Sequence, residues 1–179
     1  MSTYTQDEEA YLLGLAKLAI TTRLEGLTGE IPDCPERLQV TGSCFVTLRI
    51  KGELRGCMGD LRFDRPLAEA IWKNARSAAF EDPRFAPVRA DEWPSITMDI
   101  TILAPPESVD SADEIMIGRH GIILTKHGKR AVFLPQVATD QGWDLATTLN
   151  HLARKAGLPA DAWKRGCDLQ VFEGTMIED

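Results

Sequence analysis

Cys57 is the side chain best suited to chemistry, and it lies in the hexapeptide LRGCMG at residues 54–59. Gly56 and Gly59 have no side chains and are expected to leave the thiol sterically open. Arg55 adds a positive charge that favours the nucleophilic thiolate. Arg55 and Cys57 share one face only if the strand is regular through Gly56, since successive strand residues alternate. The pattern therefore allows a nucleophilic cysteine or a small buried side chain beside a glycine bulge.

Two carboxylates and an arginine are concentrated in residues 80–85, FEDPRF, where a helix is predicted to end. Glu81 near Arg84 predicts a local ion pair, which contributes little to stability when it is exposed. If a cleft buries the pair, it could instead orient a general acid, or bind a substrate carboxylate through Arg84.

His120 is the best placed of the three histidines for acid–base catalysis, because it lies in residues 118–121, GRHG, just before a predicted strand. His127 is expected at a hairpin tip and His151 on the charged side of a helix. Loop glycines explain the same spacing, so a purely structural role for His120 stays open.

Two amide side chains, Gln136 and Gln141, and the indole of Trp143 are expected in the loop that precedes the last long helix. These hydrogen-bonding groups are suited to a small polar ligand. Alternatively, Pro135 ends a strand, Asp144 caps the helix, and the indole packs at the helix start.

Motifs of well-known metal and nucleotide sites are absent from the sequence. The four cysteines include no C-x-x-C pair, so neither a metal site nor a disulfide framework is expected, and reduced thiols are predicted. G-x-G-x-x-G, the P-loop pattern and G-x-S-x-G do not occur. The sequence does not identify a cofactor.

Composition favours one compact globular domain for the 179 residues, of which 44% are hydrophobic and 26% charged. No apolar run approaches the roughly 18 residues of a membrane-spanning helix. The acidic N-terminal segment does not resemble a signal peptide, so a cytoplasmic location is expected. The net charge of −7, with no basic run, argues against a nucleic acid partner.

Hydrophobic periodicity predicts an α+β fold with a mainly antiparallel mixed sheet and flanking helices. Helices are expected from Gln6 to Glu25, after Pro66, and after Asp144. Strands are expected at 44–50, 53–58, 96–103, 121–125, 130–134 and 168–173, with hairpin turns at 51–52 and 126–129. Hairpins, without regular strand–helix–strand alternation, favour the α+β class.

Four segments in this order resemble the motifs of the AMMECR domain family, whose prokaryotic branch is called AmmeMemoRadiSam system protein A. They are residues 54–59, 78–85, 118–121, and 133–136 with 141–144. The resemblance spans residues 8–177, so residues 1–179 are expected to form a single AMMECR-type domain. Met58 and Asp60 stand where the family usually has Ile and Thr. The resemblance implies two unequal lobes with the motif segments near a cleft between them.

The resemblance implies two partners, a Memo-like protein and a radical S-adenosylmethionine enzyme, but no particular reaction. One function that fits is an enzyme or enzyme component acting on a small polar or anionic substrate. Cys57 would be the nucleophile or proton donor, His120 or Glu81 would move protons, and Arg55 and Arg84 would bind an anionic group. The alternative is a non-catalytic module that binds a ligand, a peptide or its partner proteins.

Overall fold

The computed structural model describes residues 4–179, which form two compact units. The larger unit contains the chain through Leu103 together with Thr175–Asp179, and the smaller unit is Ala104–Gly174. The helices and strands follow one another as α1 (Gln6–Leu24), β1 (Ser43–Ile50), β2 (Glu53–Gly59), α2 (Leu67–Phe80), β3 (Ile96–Leu103), β4 (Glu107–Val109), β5 (Gly121–Lys126), β6 (Lys129–Phe133), α3 (Pro135–Gln141), α4 (Leu145–Lys155), β7 (Asp168–Phe172) and β8 (Gly174–Glu178).

The predicted α+β class is confirmed, although the strands are divided between two four-stranded sheets. The order is β2-β1-β3-β8 in one sheet and β4-β7-β5-β6 in the other. β1 pairs antiparallel with β2 and β3, and β7 pairs antiparallel with β4 and β5. The predicted hairpins β1–β2 and β5–β6 are both present.

The larger unit buries its core between the sheet and the helices α1 and α2. α1 begins at a capping box, in which Thr5 Oγ1 accepts the Glu8 N–H and the Glu8 carboxylate accepts the Thr5 N–H. Small side chains on the buried face of α2 let its backbone approach β1 and β2 closely. This close approach places the end of α2 beside the strand that carries Cys57.

In the smaller unit, α4 begins where the sequence predicts, since Asp144 Oδ1 accepts the Thr147 N–H at 2.8 Å. The interpretation of residues 135–141 as a loop is wrong, because Pro135 opens α3 instead of only ending a strand. Gly142, with a φ of 66°, ends that helix in the left-handed region. The short strands β4 and β8 were also not predicted.

No helix formed by the described residues 4–179 combines the length and apolar character needed to cross a membrane.

Candidate functional site

Cys57 lies on β2, at the edge of the sheet in the larger unit and directly opposite Thr47. Its thiol is half-buried, and Thr47 Oγ1 donates a hydrogen bond to Sγ at 3.5 Å. The fully buried cysteine is Cys44, whose pKa burial raises to about 12. Cys57 is therefore not a sealed core residue.

The glycines beside Cys57 do not leave open space, contrary to the sequence-based expectation. A Cβ on Gly56 would lie 2.2 Å from the carbonyl oxygen of Ala78 in α2, and one on Gly59 would lie 2.5 Å from that of Cys44. Gly56 thus faces α2, and Cys57 points to the opposite face of the sheet because strand residues alternate. The glycines serve close backbone packing.

A bulge in β2 changes the expected relation between Arg55 and Cys57. Leu48 pairs with Gly56 and Arg49 with Leu54, so Arg55 is the additional residue. The Arg55 guanidinium donates to Glu92 Oε1 at 2.6 Å, and only 16% of the side chain is exposed. Arg55 is thus held by a carboxylate, and its bonded partner is not the thiol.

The carboxylate that organises this region is Asp82, which is 4% exposed and which the sequence analysis did not select. It accepts hydrogen bonds from the backbone N–H groups of Cys57 and Arg84, each at 3.0 Å. It also accepts from Arg84 Nε at 3.0 Å and Nη2 at 2.8 Å. These interactions, led by the guanidinium, hold the pKa of Asp82 well below its ordinary 3.8 despite the opposing effect of burial. The aspartate remains ionised and links α2 to β2.

Arg84 completes this arrangement. Its Nη2 atom lies 3.4 Å from the Cys57 carbonyl oxygen, and its guanidinium carbon lies 5.5 Å from the centre of the Phe85 ring. Its side chain is still 55% exposed. The positive charge is therefore fixed beside the backbone of Cys57 and open to solvent.

The predicted ion pair between Glu81 and Arg84 is wrong, because Asp82 binds Arg84 instead. Glu81 accepts hydrogen bonds from Arg23 Nη1 at 3.0 Å and Ser77 Oγ at 2.8 Å. Both bonds lower the pKa of Glu81, with Arg23 having the larger effect. An ionised Glu81 could accept a proton but is poorly suited to donate one, and its catalytic role stays a prediction.

His120 belongs to the smaller unit, where two contacts orient its ring. Its Nδ1 accepts the Met116 N–H at 3.1 Å, and Nε2 lies 3.9 Å from Glu173 Oε1. Since Nδ1 is an acceptor, the neutral imidazole carries its proton on Nε2. Arg119 also binds Glu173, at 2.8 Å. A role shared with Cys57 stays a prediction.

Gln136 and Gln141 are exposed on α3, and neither side-chain amide has a hydrogen-bond partner among the described residues. Trp143 does not simply pack at the helix start. Its ring stacks on His151, with centroids 4.0 Å apart and an interplanar angle of 5°, and Phe133 lies 6.1 Å away. His151 therefore joins an aromatic cluster, which its expected place on a charged helix face did not indicate.

Within residues 4–179, no group of three or more His, Cys, Asp or Glu side chains is arranged to hold a metal ion.

Comparison with known proteins gives a consistent result over nearly the whole chain. The family model AMMECR1 matches residues 13–177. A protein from Methanosarcina acetivorans is 37% identical, with 98% of this chain and 93% of that protein covered. Protein MJ0810 from Methanocaldococcus jannaschii is also 37% identical, with 100% and 94% covered. The crystal structure of uncharacterized protein PH0010 from Pyrococcus horikoshii has a TM-score of 0.85 and 33% identity, with 98% and 93% covered.

Proposed function

Because the chain belongs to the AMMECR1 family, we propose that it is an enzyme or enzyme component in which Cys57 reacts with a small anionic substrate held by Arg84. The observation that carries this proposal is the buried Asp82 carboxylate. It accepts hydrogen bonds from both Cys57 and Arg84, and so fixes the guanidinium beside the cysteine.

Arg84 retains the capacity to bind an anion. A guanidinium has five N–H donors in a fixed planar arrangement, and Asp82 occupies one edge of it through Nε and Nη2. The exposed remainder can donate to a carboxylate or phosphate. Thr47 Oγ1 donates a hydrogen bond to the Cys57 sulfur and so helps to orient it.

The other motif residues have supporting roles in this proposal. Glu81 moves protons and Arg55 contacts polar groups of the substrate, and the support for these roles is their place in the family motifs. Roles for His120, Gln136 and Gln141, which belong to the smaller unit, stay predictions from the sequence.

The proposal also includes the cellular context that the resemblance implies. Residues 1–179 act as one AMMECR-type domain in the cytoplasm, beside a Memo-like protein and a radical S-adenosylmethionine enzyme. Its support is the family match over residues 13–177.

Alkylation of Cys57 by a neutral and an anionic reagent tests the proposed site. Iodoacetamide and iodoacetate each form a sulfur–carbon bond and release iodide, but only iodoacetate carries a carboxylate. Peptide mapping by mass spectrometry measures the alkylation rates of Cys57 and Cys34 with each reagent. For each cysteine we take the ratio of the iodoacetate rate to the iodoacetamide rate. We expect the ratio at Cys57 to exceed that at Cys34 by about threefold, as one favourable charge contact would produce.

Arg84→Gln is expected to remove that excess, while Arg62→Gln, at an exposed position in the same unit, retains it. Equal ratios at Cys57 and Cys34, or an excess that survives Arg84→Gln, would contradict the proposed anion site. Failure of Cys57 to react in the folded protein would contradict its role as a nucleophile.

A non-catalytic module is the second candidate, and one observation favours it. In the described part of the chain, Thr47 is the only side chain hydrogen-bonded to the Cys57 sulfur, and a hydroxyl is a poor general base. If this function holds, Cys57→Ala leaves partner binding intact in a pulldown. An enzyme would instead lose its cellular activity with this substitution.

A further inference from the structure

A cavity of about 610 Å³ lies entirely within the smaller unit, between the turn that joins β5 to β6 and the segment that follows α4. Its volume falls in the range of roughly 300–1,000 Å³ that is usual for small-molecule sites. Leu158, Pro159 and Ala162 contribute apolar lining. The cavity is thus large enough for a ligand with a hydrocarbon or aromatic body.

Basic side chains line the same cavity, and they come from two separate segments, residues 126–127 and 164–165. Lys126 Nζ donates to the carbonyl oxygens of Ala162 at 3.0 Å and Arg165 at 2.7 Å. These bonds hold the ammonium in place and leave one of its three hydrogens for a further acceptor. Lys126 is half-buried, whereas Lys164 and Arg165 are exposed.

These cations have no carboxylate partner. Across residues 4–179, no Asp or Glu oxygen lies within ion-pair distance of Lys126, Lys164 or Arg165. Asp161 is the one carboxylate in the lining, and it is exposed. Lys164 Nζ lies over the Trp163 ring, 5.8 Å from its centre, a contact that leaves its charge in place. In a chain with a net charge of −7, a group of cations without carboxylate partners along a cavity favours an anionic occupant.

We propose that this cavity binds an organic anion, in which a phosphate or carboxylate is attached to an apolar body. The apolar lining buries the body, and Lys126, Lys164 and Arg165 bind the anionic group. The basic residues line a cavity of limited volume from two segments, which suits one small anion better than an extended phosphate backbone. The site shares no residue with the region around Cys57 and does not depend on the function proposed there.

The test uses the ¹⁵N-labelled full chain and three probes: 1-naphthyl phosphate, 1-naphthol and inorganic phosphate. We expect 1-naphthyl phosphate to shift the amide resonances of residues 126–129, 158 and 160–165, since Pro159 has no N–H. The alcohol and inorganic phosphate should each bind at least about tenfold more weakly, since each lacks one of the two required contacts. Comparable affinity for 1-naphthol, or for inorganic phosphate, would overturn the proposal.

A pair of double variants localises the binding. K164E/R165E is expected to weaken 1-naphthyl phosphate binding at least about tenfold by reversing two charges in the lining. R62E/R89E makes the same change in net charge at exposed positions of the larger unit and should leave the affinity unchanged. Equal loss in both variants, or amide shifts outside the two segments, would show that only general charge attraction is involved. The three-probe comparison on the unaltered chain decides the proposal even if a variant fails to fold.

Discussion

The turn after α2 in the larger unit and the helix α3 in the smaller unit hold their polar side chains in different ways. Asp82 is buried and makes four hydrogen bonds to Cys57 and Arg84. Gln136 and Gln141 are exposed, and their amides have no partner among residues 4–179. Substitution of Asp82 should therefore lower the free energy of unfolding, whereas substitution of Gln136 or Gln141 should change it little. Substitutions in the two regions should separate these roles.

Asp82→Asn should have the largest effect, a loss of about 3 kcal/mol in the free energy of unfolding. The amide removes the negative charge and directs N–H donors at other donors, which leaves buried polar groups unsatisfied. Urea unfolding followed by far-ultraviolet circular dichroism measures the change. Asp91→Asn is the matched control, because Asp91 binds Arg89 with the same two-bond geometry at an exposed position. We expect no measurable change in this control.

The unaltered chain and Asp82→Asn should also differ in how their free energy of unfolding depends on pH. Because the pKa of Asp82 is lower in the folded protein than its ordinary 3.8, the ionised carboxylate stabilises the fold fully above that value. This stabilisation is lost as the pH falls below about 4 toward the folded pKa. The unaltered chain should therefore lose more stability than Asp82→Asn between pH 6 and pH 3. Parallel losses would show that Asp82 does not contribute this stabilisation.

Gly56→Ala should have the next largest effect, a loss of about 2 kcal/mol, because the new methyl group overlaps the Ala78 carbonyl and forces backbone movement. Thermal or urea unfolding gives the value. Gly14→Ala is expected to change the free energy of unfolding in the opposite direction. Gly14 lies in α1, where an added methyl group would meet nothing within 4 Å outside its own helix, so alanine should stabilise by about 0.5–1 kcal/mol. A neutral Gly56→Ala would show that α2 can withdraw from β2 at no cost.

His151→Ala should destabilise the smaller unit by about 1 kcal/mol through loss of its stacking on Trp143. Hydrogen exchange of the α4 amides measures this change locally. His127→Asn provides the control, since His127 is exposed in the turn after β5 with a φ of 50° that asparagine tolerates. Equal protection in both variants would mean that the stack does not stabilise α4.

The smallest effect is expected for Gln136→Ala and Gln141→Ala, each within about 0.5 kcal/mol of the unaltered chain. Both amides are exposed and make no hydrogen bond that the substitution would remove. Urea unfolding monitors each variant. A loss as large as that of Asp82→Asn would remove the contrast between the two regions.

Features fixed by residues close in sequence were predictable. Asp144 caps α4 as its type and position indicate. The turn at Lys51 and Gly52 has φ values of 53° and 83°, as a two-residue hairpin requires. α3 was missed because Pro135 is compatible with both the end of a strand and the first turn of a helix. Local chemistry does not choose between these two outcomes.

Features that depend on distant residues were not predictable. Glu81 and Asp82 are adjacent, yet Glu81 binds Arg23 in α1 and only Asp82 binds Arg84. The cations around the cavity in the smaller unit are separated by more than thirty residues, at 126–127 and 164–165, so no basic run marks them in the sequence. The sequence could indicate that Cys57 and Arg84 belong to family motifs, but not that Asp82 connects them.

Asp82 also has a consequence for how this chain meets other chains. β2 is an edge strand, and the outward N–H of Cys57 is a position where a strand of another molecule could pair. The carboxylate occupies that position, and the bulge at Arg55 interrupts the regular spacing next to it. The hydrogen bond that fixes the Cys57 backbone thereby also removes one free donor from this edge of the sheet.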